Sequence, residues 1–184
     1  MNNTLLWILV AVGAALVGVL FFLMSASPPA SGPAPETLIP DAIEGFIVVT
    51  KEARIEPAFP GEAYSSHAFY TPAPNGPWSG KIERLGITIF KFKDPTKISE
   101  ARGLLLQGLT GQTESLDLGG RTAELAPEPD GVGLFWQESA LLIAIFVSAP
   151  SGGEADTETL KSAARAAARA VLAKFPPKIG RAHV

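Results

Sequence analysis

Ser65 and His67 are the two residues whose types and spacing most suggest catalysis. They lie in Glu62–Thr71 (EAYSSHAFYT), a segment with strand character. Residues two apart in a strand share a face, whereas Ser66 and His67 point to opposite faces. A histidine beside a serine would act as a general base for a nucleophile, which suggests a hydrolase. The sequence identifies no carboxylate that would orient His67, so an ordinary strand histidine is the favoured interpretation.

The residue types of this chain give little support for a metal-binding or cofactor-binding site. The chain has no cysteine and two histidines, of which His183 falls in a doubtful tail, so a zinc site would need several carboxylates. The acidic residues Glu154, Asp156 and Glu158 are better explained as the first turns of a helix, where they complement its dipole. No P-loop, GxGxxG, HExxH, GxSxG or EF-hand pattern occurs. We therefore predict no catalytic, cofactor-binding or metal-binding residues.

Two further patterns suggest binding surfaces. Lys161, Arg165 and Arg169 recur every four residues and form a basic stripe on a predicted helix. The stripe would dock an anionic partner or lipid head groups, or would simply face solvent. Five aromatic residues near Pro-rich loops would line a groove, although core packing is the favoured use. They are Phe59, Tyr64, Phe69, Tyr70 and Trp78.

The stretch from Leu5 to Met24 has no charged residue and no proline. A helix of about 20 residues spans roughly 30 Å, the thickness of the hydrocarbon core of a bilayer. A cleaved signal peptide is the main alternative, but residues 1–4 carry no Lys or Arg and the cleavage sites are poor. A buried helix of a soluble protein would not need so long an apolar run. We expect residues 1–24 to be a single-pass signal-anchor that contacts the lipid bilayer through residues 5–24.

Residues 25–35 contain only Ser, Ala, Gly and Pro, and this composition predicts an extended spacer. The positive-inside rule gives little guidance, because no Lys or Arg precedes the span and the first one after it is Lys51. An N-terminus without charged side chains, followed by a long domain, favours a membrane protein whose C-terminal domain is extracytoplasmic, either periplasmic or extracellular.

Residues 36–177 are predicted to form one α+β domain with an antiparallel or mixed sheet and two packed helices. The two helices are expected near residues 95–109 and 155–174, and Gly86 is expected to mark a β-bulge. In the run Leu141–Ser148, the residues that would point to either face of a strand are mainly apolar. This pattern predicts a strand that is central or covered on both faces. The predicted strands are Gly45–Thr50, Glu62–Thr71, Lys81–Phe92, Glu114–Leu118, Arg121–Leu125 and two strands within Gly131–Ser148.

Residues 178–184 are expected to be a non-native tail. Ile179–Val184 translates a stretch of a widely used sequencing adapter when it is read as ATC GGA AGA GCA CAC GTC. An ordinary C-terminal tail is the alternative.

The net charge of −3 argues against nucleic acid as the main partner. An anchor, a spacer and no convergent catalytic set together favour a membrane-tethered binding or assembly domain, non-catalytic, with an envelope protein as partner. The alternative is an exported, membrane-anchored hydrolase that uses Ser65 and His67.

Overall fold

The fold is an antiparallel sheet of seven strands with helices on both faces. The computed structural model describes residues 32–54, 56–109, 111–152 and 156–175. The strands follow the spatial order β1-β2-β3-β7-β6-β5-β4. They are β1 Phe46–Arg54, β2 Glu62–Pro72, β3 Arg84–Phe92, β4 Glu114–Asp117, β5 Thr122–Glu128, β6 Gly131–Glu138 and β7 Leu141–Ser148. The predicted α+β class is confirmed, and of the two predicted sheet types, antiparallel or mixed, the structure shows the antiparallel one.

Strand β7 occupies the middle of the sheet. Its residues alternate between two buried clusters: Ile143 and Ile145 face one, while Leu142 and Ala144 face the other. The doubly apolar sequence of this strand follows from that position, because both of its faces are covered. The prediction that this strand is central or covered on both faces is confirmed.

Helices cover both faces of the sheet. The short helix α1 (Pro35–Leu38) and the long helix α3 (Thr157–Leu172) pack on the face of Ile143, and α2 (Ile98–Gln107) packs on the face of Leu142. Helix α3 has 16 residues and buries an alanine-rich stripe, whereas α2 has 10 and buries only Ile98 and Ala101 fully. One face of the sheet is therefore covered less completely than the other.

Helix starts and turns follow the local sequence signals. The Asp94 carboxylate accepts a hydrogen bond from the Thr96 backbone N–H and caps a 3₁₀ turn, Pro95–Lys97, that leads into α2. Asp156 caps α3 in the same way, by accepting from the Glu158 backbone N–H. Gly119 and Gly120 both have positive φ and close the β4–β5 hairpin as predicted.

The predicted bulge at Gly86 is wrong. Strand β3 begins at Arg84, and Gly86 pairs in uninterrupted register with Phe69 on β2 and Phe146 on β7. Ile82 does not share the odd-numbered alternation of Ile87 and Ile89, because it precedes the strand. The irregularities lie instead on β1, between Val48 and Thr50, and at the start of β2.

No helix in the described ranges is long and apolar enough to cross a membrane. The predicted anchor (residues 5–24) and the predicted tail (178–184) lie outside these ranges. Residues 25–31 of the predicted spacer lie outside them as well, and so does Glu154.

Asp41 joins two distant parts of the domain and should make stability depend on pH. Its carboxylate accepts hydrogen bonds from Lys51 on β1 and from Lys174 after α3, and these bonds hold its pKa below the ordinary value of 3.8. Stability from a depressed carboxyl pKa is present above the unfolded pKa and is lost as pH falls through the folded pKa. Asp41→Asn should therefore lower the thermal midpoint at pH 7, and its difference from wild type should shrink between about pH 4 and pH 2.

Thermal unfolding at these pH values, followed by circular dichroism, checks this prediction. Asp130→Asn is the matched control, because Asp130 is an exposed aspartate for which no ion pair is found within the described residues. A pH-independent effect of Asp41→Asn would contradict the account.

Candidate functional site

A row of alternating large and small residues crosses the α2 face of the sheet. Strand register places Phe69, Gly86, Phe146, Gly133 and Ala126 side by side on five neighbouring strands. We call the concave surface around Phe69, Gly86, Phe146 and Gly133 the phenylalanine groove. It lies on the part of this face that α2 leaves uncovered.

The glycines of the row leave room for neighbouring aromatic rings. A Cβ atom on Gly86 would lie 3.3 Å from Cε1 of Phe69, and one on Gly133 would lie 2.7 Å from Cε2 of Phe135. Glycine in a strand weakens the strand but permits close approach. The floor of the groove is therefore largely backbone, bounded by rings that lean over it.

The two phenylalanines that form the groove remain accessible. Phe69 is 40% exposed and Phe146 is 38% exposed, in contrast to the nearby Phe135, which is 1% exposed. The cavity has a volume of about 370 Å³, within the usual range for ligand pockets of about 300–1,000 Å³. Arg84 and Asp130 also line it and supply charges of both signs.

A second cavity, of about 290 Å³, adjoins the phenylalanine groove and shares Phe69 and Arg84 with it. This cavity also reaches Val49 on β1, the edge strand of the sheet. Val49 is 61% exposed, and Ile47 on the same strand is 49% exposed. An accessible apolar surface thus runs from the middle of the sheet to its edge.

Polar neighbours hold the Phe69 ring. The Arg84 guanidinium lies over it at 5.7 Å from the ring centroid, and the His67 ring centroid is 5.8 Å away. A guanidinium within about 6 Å of a ring is attracted by its quadrupole. These contacts favour one orientation of the ring in the free protein.

Ser65 and His67 lie on this same face of the sheet. Ser65 is 2% exposed, and no hydrogen bond joins it to His67 in the described part of the chain. The His67 Nε2 atom lies 3.4 Å from a carboxylate oxygen of Glu52, which is directly opposite on β1. The sequence did not reveal Glu52, because its pairing with His67 depends on the irregular β1–β2 register. Ser66 faces the other side, as expected from strand geometry.

The aromatic residues proposed to line one groove are divided between the two faces. Tyr70 is fully buried on the α3 face, donates a hydrogen bond to the Pro40 carbonyl, and has a pKa raised by burial. Phe59 packs edge-on against Phe90 on the opposite face, at 5.1 Å between centroids. Trp78 stacks on Phe46 and donates to the Glu44 carbonyl. Tyr64 is half-buried, and burial raises its pKa.

One local sequence pattern, on β6, indicates the groove. Gly131 and Gly133 alternate with Val132 and Leu134, so one face of β6 carries bare backbone where the other carries apolar side chains. Phe146 could not be assigned to the groove from local sequence, because the row arises from pairing between distant strands.

No group of three or more His, Asp or Glu side chains is placed to hold a metal ion within the ranges that the structure describes.

No family model matches this sequence, and no curated protein is similar to it. Among solved structures, the crystal structure of a GTP binding regulator from Thermotoga maritima resembles this chain with a TM-score of 0.44 and 11% sequence identity. The resemblance covers 74% of this chain and 87% of that one. A similarity of this size supports no conclusion about activity.

Proposed function

We propose that this chain is a membrane-tethered, extracytoplasmic binding or assembly domain, non-catalytic, whose partner is an envelope protein that docks on the phenylalanine groove. The observation that carries the proposal is the pair Phe69 and Phe146, each more than one-third exposed on a glycine floor. Contiguous apolar patches on the surfaces of soluble domains mark interaction sites. Exposed aromatic anchors in a concave setting are typical of interface centres.

The shape of the surface favours a polypeptide over a compact small molecule. Two shallow cavities adjoin at Phe69 and continue to the edge strand β1, so the surface is longer than a single pocket. An extended segment with apolar side chains would fill both cavities and would find Arg84 and Asp130 at the rim. Mixed charges at the rim suit a protein partner with polar groups around an apolar centre.

Removing both rings should separate the domain from its partner. Truncating one aromatic anchor typically costs about 2 kcal/mol or more, which is roughly a 30-fold loss of affinity. The double variant Phe69→Ser/Phe146→Ser should therefore lose the stoichiometric partner that co-purifies with the detergent-solubilised wild-type chain. Quantitative mass spectrometry of the purified material is the measurement.

Leu104→Ser on α2 is the matched control, since Leu104 is 46% exposed and lies outside the groove. This control should retain the partner. Retention of the same partner by the double variant at wild-type stoichiometry would contradict the proposal.

A second candidate is an exported, membrane-anchored hydrolase that uses Ser65 and His67. Its support is the Glu52 carboxylate beside His67, an arrangement that resembles the orienting group of a catalytic triad. Against it stand the burial of Ser65 and the missing hydrogen bond between the two residues in the described structure. A nucleophile must contact both its base and its substrate, so the binding function is favoured.

The tether itself is tested by extraction. Residues 5–24 carry no charge and have the length of a bilayer span, so the full chain should remain in the membrane pellet after alkaline carbonate or high salt and should dissolve only in detergent. A peripheral protein from the same membranes, which carbonate or high salt releases, is the control. Release of the intact chain by carbonate would contradict an uncleaved anchor.

A further inference from the structure

A second groove lies on the opposite face of the sheet, between α3 and the β4–β5 hairpin. We call it the α3–β4 groove, and its volume is about 310 Å³. Three leucines supply its apolar wall and two arginines supply positive charge. These residues are Leu116, Leu118, Leu172, Arg165 and Arg169.

The basic stripe of α3 is divided between this groove and the edge of the sheet. Arg165 and Arg169 lie one helical turn apart and line the same groove. Lys161, one turn earlier, is committed elsewhere: its Nζ lies 2.9 and 3.1 Å from the two carboxylate oxygens of Glu114 on β4. Glu158 lies 3.4 Å from the same amine. Lys161 thus fastens the helix to the sheet edge.

The two arginines have no such partner. Within the described residues, neither Arg165 nor Arg169 forms an ion pair. Asp117 is the acidic residue among those that line the groove, and its carboxylate accepts a hydrogen bond from the Gly120 backbone N–H at 2.8 Å, which holds the hairpin turn. Two guanidinium groups against one such carboxylate leave the groove with a positive balance.

We propose that the α3–β4 groove binds an anionic amphiphile, meaning an apolar chain with a carboxylate or phosphate head group. The leucines would bury the chain, and the guanidinium groups would bind the head group through charge-assisted hydrogen bonds. A mainly apolar pocket with a few polar groups that fix orientation is the usual form of a small-molecule site. This inference does not depend on the phenylalanine groove, which lies on the other face of the sheet, and only its experiment uses the proposed membrane tether.

Isothermal titration of the full chain, held in phosphatidylcholine nanodiscs with empty nanodiscs subtracted, tests the ligand class. Octanoate and octyl phosphate should bind saturably. Acetate, which lacks the apolar chain, and octylammonium, which lacks the negative charge, should bind at least tenfold more weakly. Equal binding of octylammonium, or no saturable binding of either anion, would overturn the proposal. Adding phosphatidylglycerol distinguishes the source: weaker octanoate binding would show that a bilayer lipid competes for the groove, and unchanged binding would identify a free amphiphile.

Variants locate the site. Arg165→Gln/Arg169→Gln should weaken octanoate binding at least tenfold, whereas Arg54→Gln, at an exposed arginine on β1, should not change it. Arg165→Glu/Arg169→Glu should reverse the preference and bind octylammonium more tightly than octanoate, a gain that misfolding cannot produce. Undiminished octanoate binding by the glutamine pair, or an unchanged preference in the glutamate pair, would overturn the proposal.

Discussion

Ile143→Asp is expected to prevent the domain from folding. Ile143 is fully buried at the centre of β7, where it pairs with Ile89 on β3 and Trp136 on β6. A buried carboxylate without a partner costs several kcal/mol, and the apolar burial of isoleucine is lost in addition. Domains are stable by only about 5–15 kcal/mol in total. The variant should show no cooperative thermal transition.

The matched control is Val49→Asp, which places the same charge on a strand at a β-branched residue that is 61% exposed. It should retain a cooperative transition within a few degrees of wild type, because its carboxylate stays in water. Circular dichroism and amide dispersion in NMR spectra check both variants. A folded, soluble Ile143→Asp protein would contradict the central position of β7.

Most elements of the fold could be predicted from the sequence because their signals are local. Asp94 followed by Pro95 marks a helix start through capping and a preset φ angle, without reference to the rest of the chain. The Gly119–Gly120 turn likewise depends only on residues that tolerate positive φ. The central position of β7 was predictable because burial on both faces leaves an apolar run at both parities.

The position of each helix could not be predicted, since a stripe of apolar residues shows that a helix packs but not on which face. The prediction of a β-bulge at Gly86 is wrong for a related reason. A glycine in a strand indicates either a bulge or a close approach, and only the pairing of β3 with β2 and β7 identifies the Phe69 ring as the neighbour.

Most of the candidate site could not be predicted from the sequence, because it is formed by the pairing register of strands that are distant along the chain. Phe69 is one of the aromatic residues that the sequence analysis names. Phe146 lies 77 positions later and joins the same row only because both β2 and β7 pair with β3. Glu52 similarly reaches His67 only across the β1–β2 pairing, beyond the irregularity at Val49. Long-range strand pairing is the part of the structure that local patterns do not specify.

A partner protein that docks on the phenylalanine groove should lie within crosslinking distance of Phe69 and Phe146. The most direct measurement is site-specific photo-crosslinking of the full chain in the cells that produce it, with a benzoylphenylalanine in place of Phe69, Phe146 or Leu104. These three positions are similarly exposed, at 40%, 38% and 46%, and only the first two lie in the groove. Phenylalanine-derived probes at positions 69 and 146 also retain an aromatic ring.

Positions 69 and 146 should give one adduct of the same mass, and position 104 should give no such adduct. The adduct from position 146 should disappear when Phe69→Ser is added, because both rings contact one partner. Absence of an adduct at both groove positions, or the same adduct from position 104, would contradict the claim that the groove is a docking surface.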